Sequence, residues 1–443
     1  MRWNRAIEYK STRTALALAL VVLLLPGLAA QHLRYGAERE RLYIPELRGK
    51  RVAVVAHAAS VANGESTVDR LMRRRIDVRF VFTPEHGFRG TASAGEKVDA
   101  VRDSATGLRL VSLYGERRKP SKADLDSVDA VVYDLQDLSI RFYTYVSTLA
   151  YVMEACAEHR KELVVLDRPT PFADVVDGPL LDTAAHRSFV GLHPVPVLYG
   201  LTSGEYALMA KGEGWIKGAD SLSLRVVPVE HYRRERVYPS APPSPNLATR
   251  NAIDWYPSLC FFEATDVSVG RGTGHPFEQY GAPWWGDSSF SFVPQSRVGA
   301  SQPPHEGVTC YGVDLRATPA PLGIDWSHLW EAKYLYDSVK VADSLTLRPP
   351  FARSFLNRLA GTSALMTALN EGWSHEQFRT SYFTDVMRYN FARQRYVLYE
   401  SATDYQPSEA APLQVPMPEE APKPRRTRRL RSLFGKKSPV NRT

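Results

Sequence analysis

Hydrophobic and polar positions follow two rhythms along this chain: short unbroken apolar runs, and longer stretches with a helical period. Arg51–Ala56 (RVAVVA), Val78–Phe82 (VRFVF), Asp129–Tyr133 (DAVVY) and Leu163–Leu166 (LVVL) are apolar and rich in β-branched residues. Runs of that length and composition predict strands buried on both faces. Val195–Leu198 (VPVL) predicts a weaker, edge-like fifth strand, because Pro196 has no N–H for a ladder. Thr67–Arg75 reads as a helix. Tyr145, Leu149, Val152 and Cys156 then recur at i, i+4, i+7 and i+11, which places them on one face of an amphipathic helix ending near His159. Thr202–Lys211 is a further helix, with Thr202 and Glu205 at capping-box spacing. Strands alternating with helices predict an α/β architecture with a parallel sheet covered on both faces.

The rhythm stops at Ala241–Leu247 (APPSPNL), which marks a domain boundary: an α/β domain over residues 31–245 and a smaller α+β domain over 246–403. In the second domain Phe261–Pro283 is loop-rich, and helices return at Trp326–Val339, Thr362–Glu371 and Ser374–Arg393. Ser374 and Gln377 form another capping-box match. Residues 404–443 turn Pro- and Glu-rich and then basic, a composition that predicts a flexible tail.

The two ends change the picture that composition gives. The net charge of +8 suggests an anionic partner until it is located. Residues 1–31 hold four basic side chains against one acid, and residues 423–443 hold nine with no acid, which leaves the body, 32–422, at −4. The body is therefore not a nucleic-acid binder by charge. The basic start precedes an eleven-residue apolar run, Ala15–Leu25, and then Pro26-Gly27-Leu28-Ala29-Ala30. That run is short for a bilayer span and right for a signal peptide over residues 1–30. Gly27 and Ala29 suit cleavage after Ala29, with Ala30 as the neighbouring choice and a retained signal anchor as the competing outcome. The body is expected to work in the periplasm or as a secreted protein, with the basic tail available for contact with an anionic membrane or cell-wall surface. Three cysteines in 443 residues exclude a disulfide framework, and no tight histidine spacing marks a zinc site. No metal or organic cofactor is expected.

Candidate chemistry gathers at the strand ends, where ligands bind in parallel α/β sheets. The second strand runs into Thr83-Pro84-Glu85-His86-Gly87-Phe88-Arg89. The third runs into Asp134-Leu135-Gln136-Asp137, with Arg141, Tyr143 and Tyr145 just beyond, and the fourth into Asp167-Arg168-Pro169. Acids and arginines converging on one sheet edge are what a hydrolytic or group-transfer site requires. No GxGxxG follows the first strand, and no GxxxxGK[ST] or GxSxG occurs, which disfavours dinucleotide-binding, P-loop and α/β-hydrolase chemistry.

Six strings in order give this pattern a family likeness. They are Pro84-Glu85-His86-Gly87; Tyr133-Asp134-Leu135-Gln136-Asp137 continuing to Arg141-Phe142-Tyr143-Thr144-Tyr145; Asp167-Arg168-Pro169; Pro243-Ser244-Pro245-Asn246; Gly270-Arg271-Gly272-Thr273; and Pro276-Phe277-Glu278 with Gly281-Ala282-Pro283-Trp284. Together, from about Arg51 to Tyr399, they resemble the bacterial NamZ family of exo-β-N-acetylmuramidases. The resemblance implies a Rossmann-like N-terminal domain, a smaller C-terminal domain with a cleft between them, and release of terminal N-acetylmuramic acid from peptidoglycan fragments. The chain departs from the family pattern at His57 (Asn expected), Ser139 (Gly), Tyr199 (His), Ala264 (Gly) and Asp266 (Asn).

Glycosidase chemistry needs a proton-donating acid and a second carboxylate. Glu85 is the candidate acid, with Glu278 and Asp137 as candidates for the second group. Arg89, Arg141 and Arg271 are candidates for pairing with the lactyl carboxylate that distinguishes muramic acid from glucosamine. His86, Asp134, Gln136, Tyr143, Tyr145, Asp167, Arg168 and Asn246 complete the candidate substrate-binding set. Bland readings stand beside these. Asp134 and Asp137 equally suit holding an arginine in place, Asp167-Arg168-Pro169 suits a stiff turn, and Glu278 suits a loop salt bridge with Arg271. The alternative for the whole protein is a non-catalytic muropeptide or cell-wall-binding protein.

Overall fold

The computed structural model describes residues 32–85, 87–88, 102–286, 289–342 and 350–401. Six strands build the main sheet: β1 (Arg51–Ala56), β2 (Asp77–Thr83), β3 (Arg109–Ser112), β4 (Ala130–Asp134), β5 (Glu162–Leu166) and β6 (Ser223–Val227). All neighbours are parallel, in the order β6-β5-β4-β1-β2-β3. The order reverses between β1 and β4, so the crevice for a ligand opens beyond the carboxyl ends of those two strands. The fold is the α/β parallel sheet expected from the strand–helix alternation, with the Rossmann-like order that the family resemblance implies.

The apolar runs become strands because the sheet has a core on each face. Along β1, Ala53 and Val55 point into one apolar cluster and Val52, Val54 and Ala56 into the other. The first cluster takes the buried face of α3 (Tyr145–Glu158), including Tyr145, Leu149, Val152 and Cys156. The second takes Val68 and Leu71 of α1 (Thr67–Arg73). A short helix, α2 (Lys122–Asp126), precedes β4, and α4 (Ser203–Gly212) precedes β6. The capping box at the start of α4 is formed in full: the Thr202 side chain accepts from the Glu205 N–H and Glu205 accepts from the Thr202 N–H.

Val195–Leu198 does not join the sheet. Only Leu198–Tyr199 is extended, pairing antiparallel with Val176–Asp177, while the Val197 carbonyl accepts from the Arg141 N–H. Pro196 removes a donor, and that edge of the main sheet is taken instead by β6.

The C-terminal region carries a three-stranded antiparallel sheet of β7 (Gln279–Ala282), β8 (Ser291–Phe292) and β9 (Cys310–Asp314), with β9 central. Five helices accompany it: α5 (Arg250–Leu259), α6 (Ser327–Ala342), α7 (Phe355–Ala360), α8 (Ala364–Glu371) and α9 (His375–Arg393). Trp255, Trp326, Leu356 and Phe378 join the same apolar cluster as α3. Polar clasps add to it: the Tyr389 hydroxyl donates to the Tyr199 carbonyl at 2.9 Å, and the Tyr399 hydroxyl to Asp167 at 2.5 Å.

Candidate active site

A cleft of about 440 Å³ opens where the strand ends meet the C-terminal region. Glu85, on the turn after β2, lines it together with Tyr114 and Arg118 from the segment after β3. Tyr143 arrives from the loop after β4 and Tyr145 from the first turn of α3, Ser244 and Asn246 from the Pro-rich string, and Glu263, Arg271 and Phe277 from the C-terminal region. Glu85 is half-buried and accepts a hydrogen bond from Tyr114. Burial, and then the neighbouring Glu85 carboxylate, push the Tyr114 phenol well above its usual value, so it stays a donor.

Arg271 is aimed by its own backbone. Gly270 and Gly272 flank it at φ +75° and +84°, and a Cβ on either would come within 2.7 Å of its surroundings. The side chain that results pairs with Glu263 at 2.7 Å and donates to the Gly299 carbonyl at 3.2 Å. Asn246 donates to the same carbonyl at 2.9 Å. Arg271 also feels the Glu85 charge, so both carboxylates act on one guanidinium. Phe277 stands on the wall with φ +61°, a region that a bulky side chain enters only when its surroundings impose it. Here the imposing contacts are the Phe277 N–H bond to the Val269 carbonyl (2.8 Å) and edge-to-face packing on Tyr256 at 4.9 Å.

The tyrosine floor rests on a relay of fixed groups. His57 accepts the Gln136 N–H at Nε2 (3.0 Å), so the neutral ring carries its proton on Nδ1 and offers it to the Tyr145 hydroxyl at 3.2 Å. The Tyr143 hydroxyl donates to the Pro243 carbonyl at 2.7 Å. The Pro243–Asn246 string therefore serves as a rail for both the tyrosines and Asn246.

Of the residues singled out in the sequence, the structure brings Glu85, Tyr143, Tyr145, Asn246 and Arg271 together on the cleft wall. His86 and Arg89 lie outside the described residues. The other candidates are buried behind the lining. Asp134 holds Arg168 through two hydrogen bonds, 2.5 Å from Nε and 2.8 Å from Nη2. Asp167 accepts from Thr202, Gly204 and Tyr399. Gln136 donates to the Asp137 and Pro169 carbonyls. The Arg141 guanidinium spends its donors on the Pro179, Val195 and Leu359 carbonyls, and desolvation pulls its pKa down to about 9. Glu278 is buried and meets His275 at 3.4 Å rather than Arg271. What residue order alone missed is Glu263, which sits in a 3-10 turn, Cys260–Ala264, where it reads as part of an apolar segment. The one available signal was that Arg271 needs a carboxylate partner.

Comparison with known proteins identifies the family. Residues 52–251 match the N-terminal part, and residues 255–399 the C-terminal part, of the family described as exo-β-N-acetylmuramidase NamZ. The chain belongs to the NamZ family. It is 33% identical over 385 residues to the peptidoglycan β-N-acetylmuramidase NamZ of Bacillus subtilis (strain 168), covering 81% of this chain and 89% of that one. Two crystal structures of DUF1343 family proteins from Bacteroides fragilis NCTC 9343 are similar. One has a TM-score of 0.74 at 35% identity and covers 84% of this chain and 99% of its own. The other has a TM-score of 0.70 at 28% identity and covers 83% and 99%.

None of the departures from the NamZ pattern lines the cleft. Ser139 stands at φ +63°, which is why glycine is the residue expected there; its hydroxyl repairs part of the cost by accepting the Leu201 N–H at 3.0 Å. Tyr199, in place of histidine, donates to Asp137 at 2.6 Å, and the Ser139 N–H meets the same oxygen at 2.6 Å. Asp266 accepts the Trp284 indole N–H at 2.9 Å, a packing role for that Trp pair.

Asp137 itself lies off the lining, with its second carboxylate oxygen buried and without a partner among the described residues. Desolvation raises its pKa to about 6, against the partial relief from Tyr199 and the Ser139 N–H. An acid whose folded pKa exceeds its unfolded value favours folding while protonated, and that contribution is lost as pH rises from about 4 to about 6. The loss amounts to about 3 kcal/mol at 1.36 kcal/mol per unit. Asp137→Asn should therefore gain stability relative to the parent as pH rises across that window, measured by urea midpoints at pH 4 and 7. Turnover should change by no more than about threefold, as for a group that does not touch substrate. A constant stability difference across the window would contradict the assignment.

Proposed function

We propose that this protein is a glycosidase that releases terminal N-acetylmuramic acid from peptidoglycan fragments. The observation that carries the reading is the cleft: Glu85, tied to Tyr114, faces the Glu263–Arg271 pair among aromatic walls suited to a sugar ring. In this scheme Glu85 protonates the leaving oxygen, and Glu263, held in place by Arg271, is the second carboxylate that hydrolysis needs. Tyr143, Tyr145 and Tyr256 supply a rigid apolar surface for the ring, and Arg271 offsets the negative charge left on Glu85 as its proton passes to the leaving oxygen. A second hollow of about 420 Å³ shares Glu263, Arg271 and Phe355 with the cleft. Its other lining residues, among them Ser301 and Gln302, carry no charge, which suits the neutral sugar on the far side of the scissile bond. The non-catalytic alternative drew its support from the departures, and none of these lines the cleft.

Mass spectrometry of soluble, peptide-free peptidoglycan fragments after incubation with the protein tests the reading. Free N-acetylmuramic acid should accumulate, with chains shortened from one end. Tight binding with no released sugar would favour the non-catalytic alternative.

The site of action is proposed to lie outside the cytoplasm, on the strength of the export signal in residues 1–30. The nine basic residues of 423–443 are proposed to tether the mildly acidic body to an anionic surface, at about 1 kcal/mol per well-placed charge. Truncation after Glu420 should abolish binding to anionic vesicles or sacculi at low salt while hydrolysis of a small soluble glycoside stays the same. Retained binding after truncation would remove the tail from the account.

A further inference from the structure

We infer that Arg118 reads the carboxylate of the bound sugar, with Arg358 as a second positive charge in the same subsite; the assignment rests on the muramic acid reading of the cleft. Charge accounting points there first. The charged side chains lining the cleft are Glu85, Arg118, Glu263, Arg271 and Arg358. Glu263 and Arg271 neutralise each other at 2.7 Å. Arg141, an arginine that the sequence offers for the same task, does not line the cleft, and its two terminal nitrogens are bonded to three backbone carbonyls. Two guanidinium groups then face one remaining carboxylate, so the cleft is net positive in a body that is net negative. When Glu85 carries its catalytic proton the imbalance is larger still. Such a cleft calls for an anionic ligand.

Arg118 is exposed at the mouth of the cleft, but it is held at two points. Its Nε donates to the Gly115 carbonyl at 3.1 Å, and its guanidinium carbon lies 4.5 Å over the ring of Phe189. Phe189 is in turn stacked on Tyr151, at 6.3 Å between centroids with 10° between planes. One nitrogen is tied and the plane is fixed on an aromatic column. Nη1 and Nη2 have no protein partner among the described residues and present the two parallel donors that a carboxylate accepts. Because the side chain is ordered before a ligand arrives, little rotamer entropy remains to be lost on binding. The same segment holds Tyr114, the donor to Glu85, so the anion reader and the acid are set by one stretch of chain. Arg358, exposed in the last turn of α7, has no stacking partner among the described residues and acts through charge alone.

The ligand class is thus a sugar bearing a carboxylate, here the 3-O-lactyl group, rather than its neutral N-acetylglucosamine counterpart. Isothermal titration of the full-length protein with N-acetylmuramic acid and with N-acetylglucosamine tests it. The parent protein should prefer the acid by about tenfold or more, the scale of a charge-assisted hydrogen bond. Arg118→Gln should erase that preference to within about threefold, with the loss falling mainly on the acid. Arg118→Lys should keep only part of it, since lysine has neither the fork nor the stack. Arg358→Gln should lower the preference by a few fold, and the effect should fade with salt.

A preference unmoved in Arg118→Gln, equal losses for both sugars, or no preference in the parent protein would overturn the assignment. Hydrolysis of a muramic acid glycoside, measured alongside, separates this outcome from the functional reading. Turnover with an Arg118-independent preference sinks the subsite alone. An Arg118-dependent preference without turnover sinks the hydrolytic reading and leaves the subsite standing.

Discussion

Glu85→Gln should lower turnover of a muramic acid glycoside with a poor leaving group by about 10² or more, with the fold and sugar affinity retained. Glutamine keeps the size of the side chain and can still accept from Tyr114, but has no proton to give the leaving oxygen. The loss should shrink for a nitrophenyl leaving group, which departs with little protonation. That dependence on leaving group separates a proton donor from a residue that only shapes the cleft. Turnover like that of the parent on the poor leaving group would remove Glu85 from its role. The half-buried position beside Tyr114, and the shared influence of Glu85 and Glu263 on Arg271, are the structural grounds for expecting a large effect.

The second large effect is expected in stability. Asp134 and Arg168 are buried together, 0% and 3% exposed, and joined at 2.5 and 2.8 Å. Arg168 also donates to the Val61 carbonyl at 3.0 Å, and Thr67 donates to Asp134. Arg168→Met leaves an uncompensated buried carboxylate at the carboxyl end of central strand β4 and should cost about 3–5 kcal/mol. Adding Asp134→Leu removes that stranded charge, so the double variant should be more stable than Arg168→Met alone. This non-additivity, read by urea denaturation of both single variants, the double variant and the parent, is the signature of a buried pair. A double variant that loses the sum of the two single effects would show that Asp134 and Arg168 act separately.

The centre of the sheet was legible because its strands are buried on both faces and so appear as continuous apolar runs. β3 and β6 were not, because edge strands are half exposed: RLVS and SLRVV carry charged or polar residues that break the run. Val195–Leu198 misled in the opposite direction, since a buried apolar loop has the composition of a strand. The cleft shows a similar divide. Order along the chain places Asp134, Gln136, Asp137, Asp167 and Arg168 at strand ends but does not say which way they point. In the structure these side chains turn inward to buried partners, Asp134 to Arg168, Asp167 to Thr202 and Tyr399, Gln136 to backbone carbonyls and one oxygen of Asp137 to Tyr199, because a polar group at the carboxyl end of a buried strand needs partners. Glu85, Tyr143, Tyr145, Asn246 and Arg271 point outward into the cleft. Arg118 gave no signal at all, because its fitness comes from Gly115 and from Phe189, far along the chain.

The central claim is that the cleft cleaves a glycosidic bond to N-acetylmuramic acid using Glu85. The most direct test offers the purified protein a chromogenic N-acetylmuramic acid glycoside beside its N-acetylglucosamine analogue. The account predicts release of chromophore from the first, much slower release from the second, and a further drop on the first in Glu85→Gln. No release from the muramic acid glycoside, or equal release by the parent protein and Glu85→Gln, would contradict it.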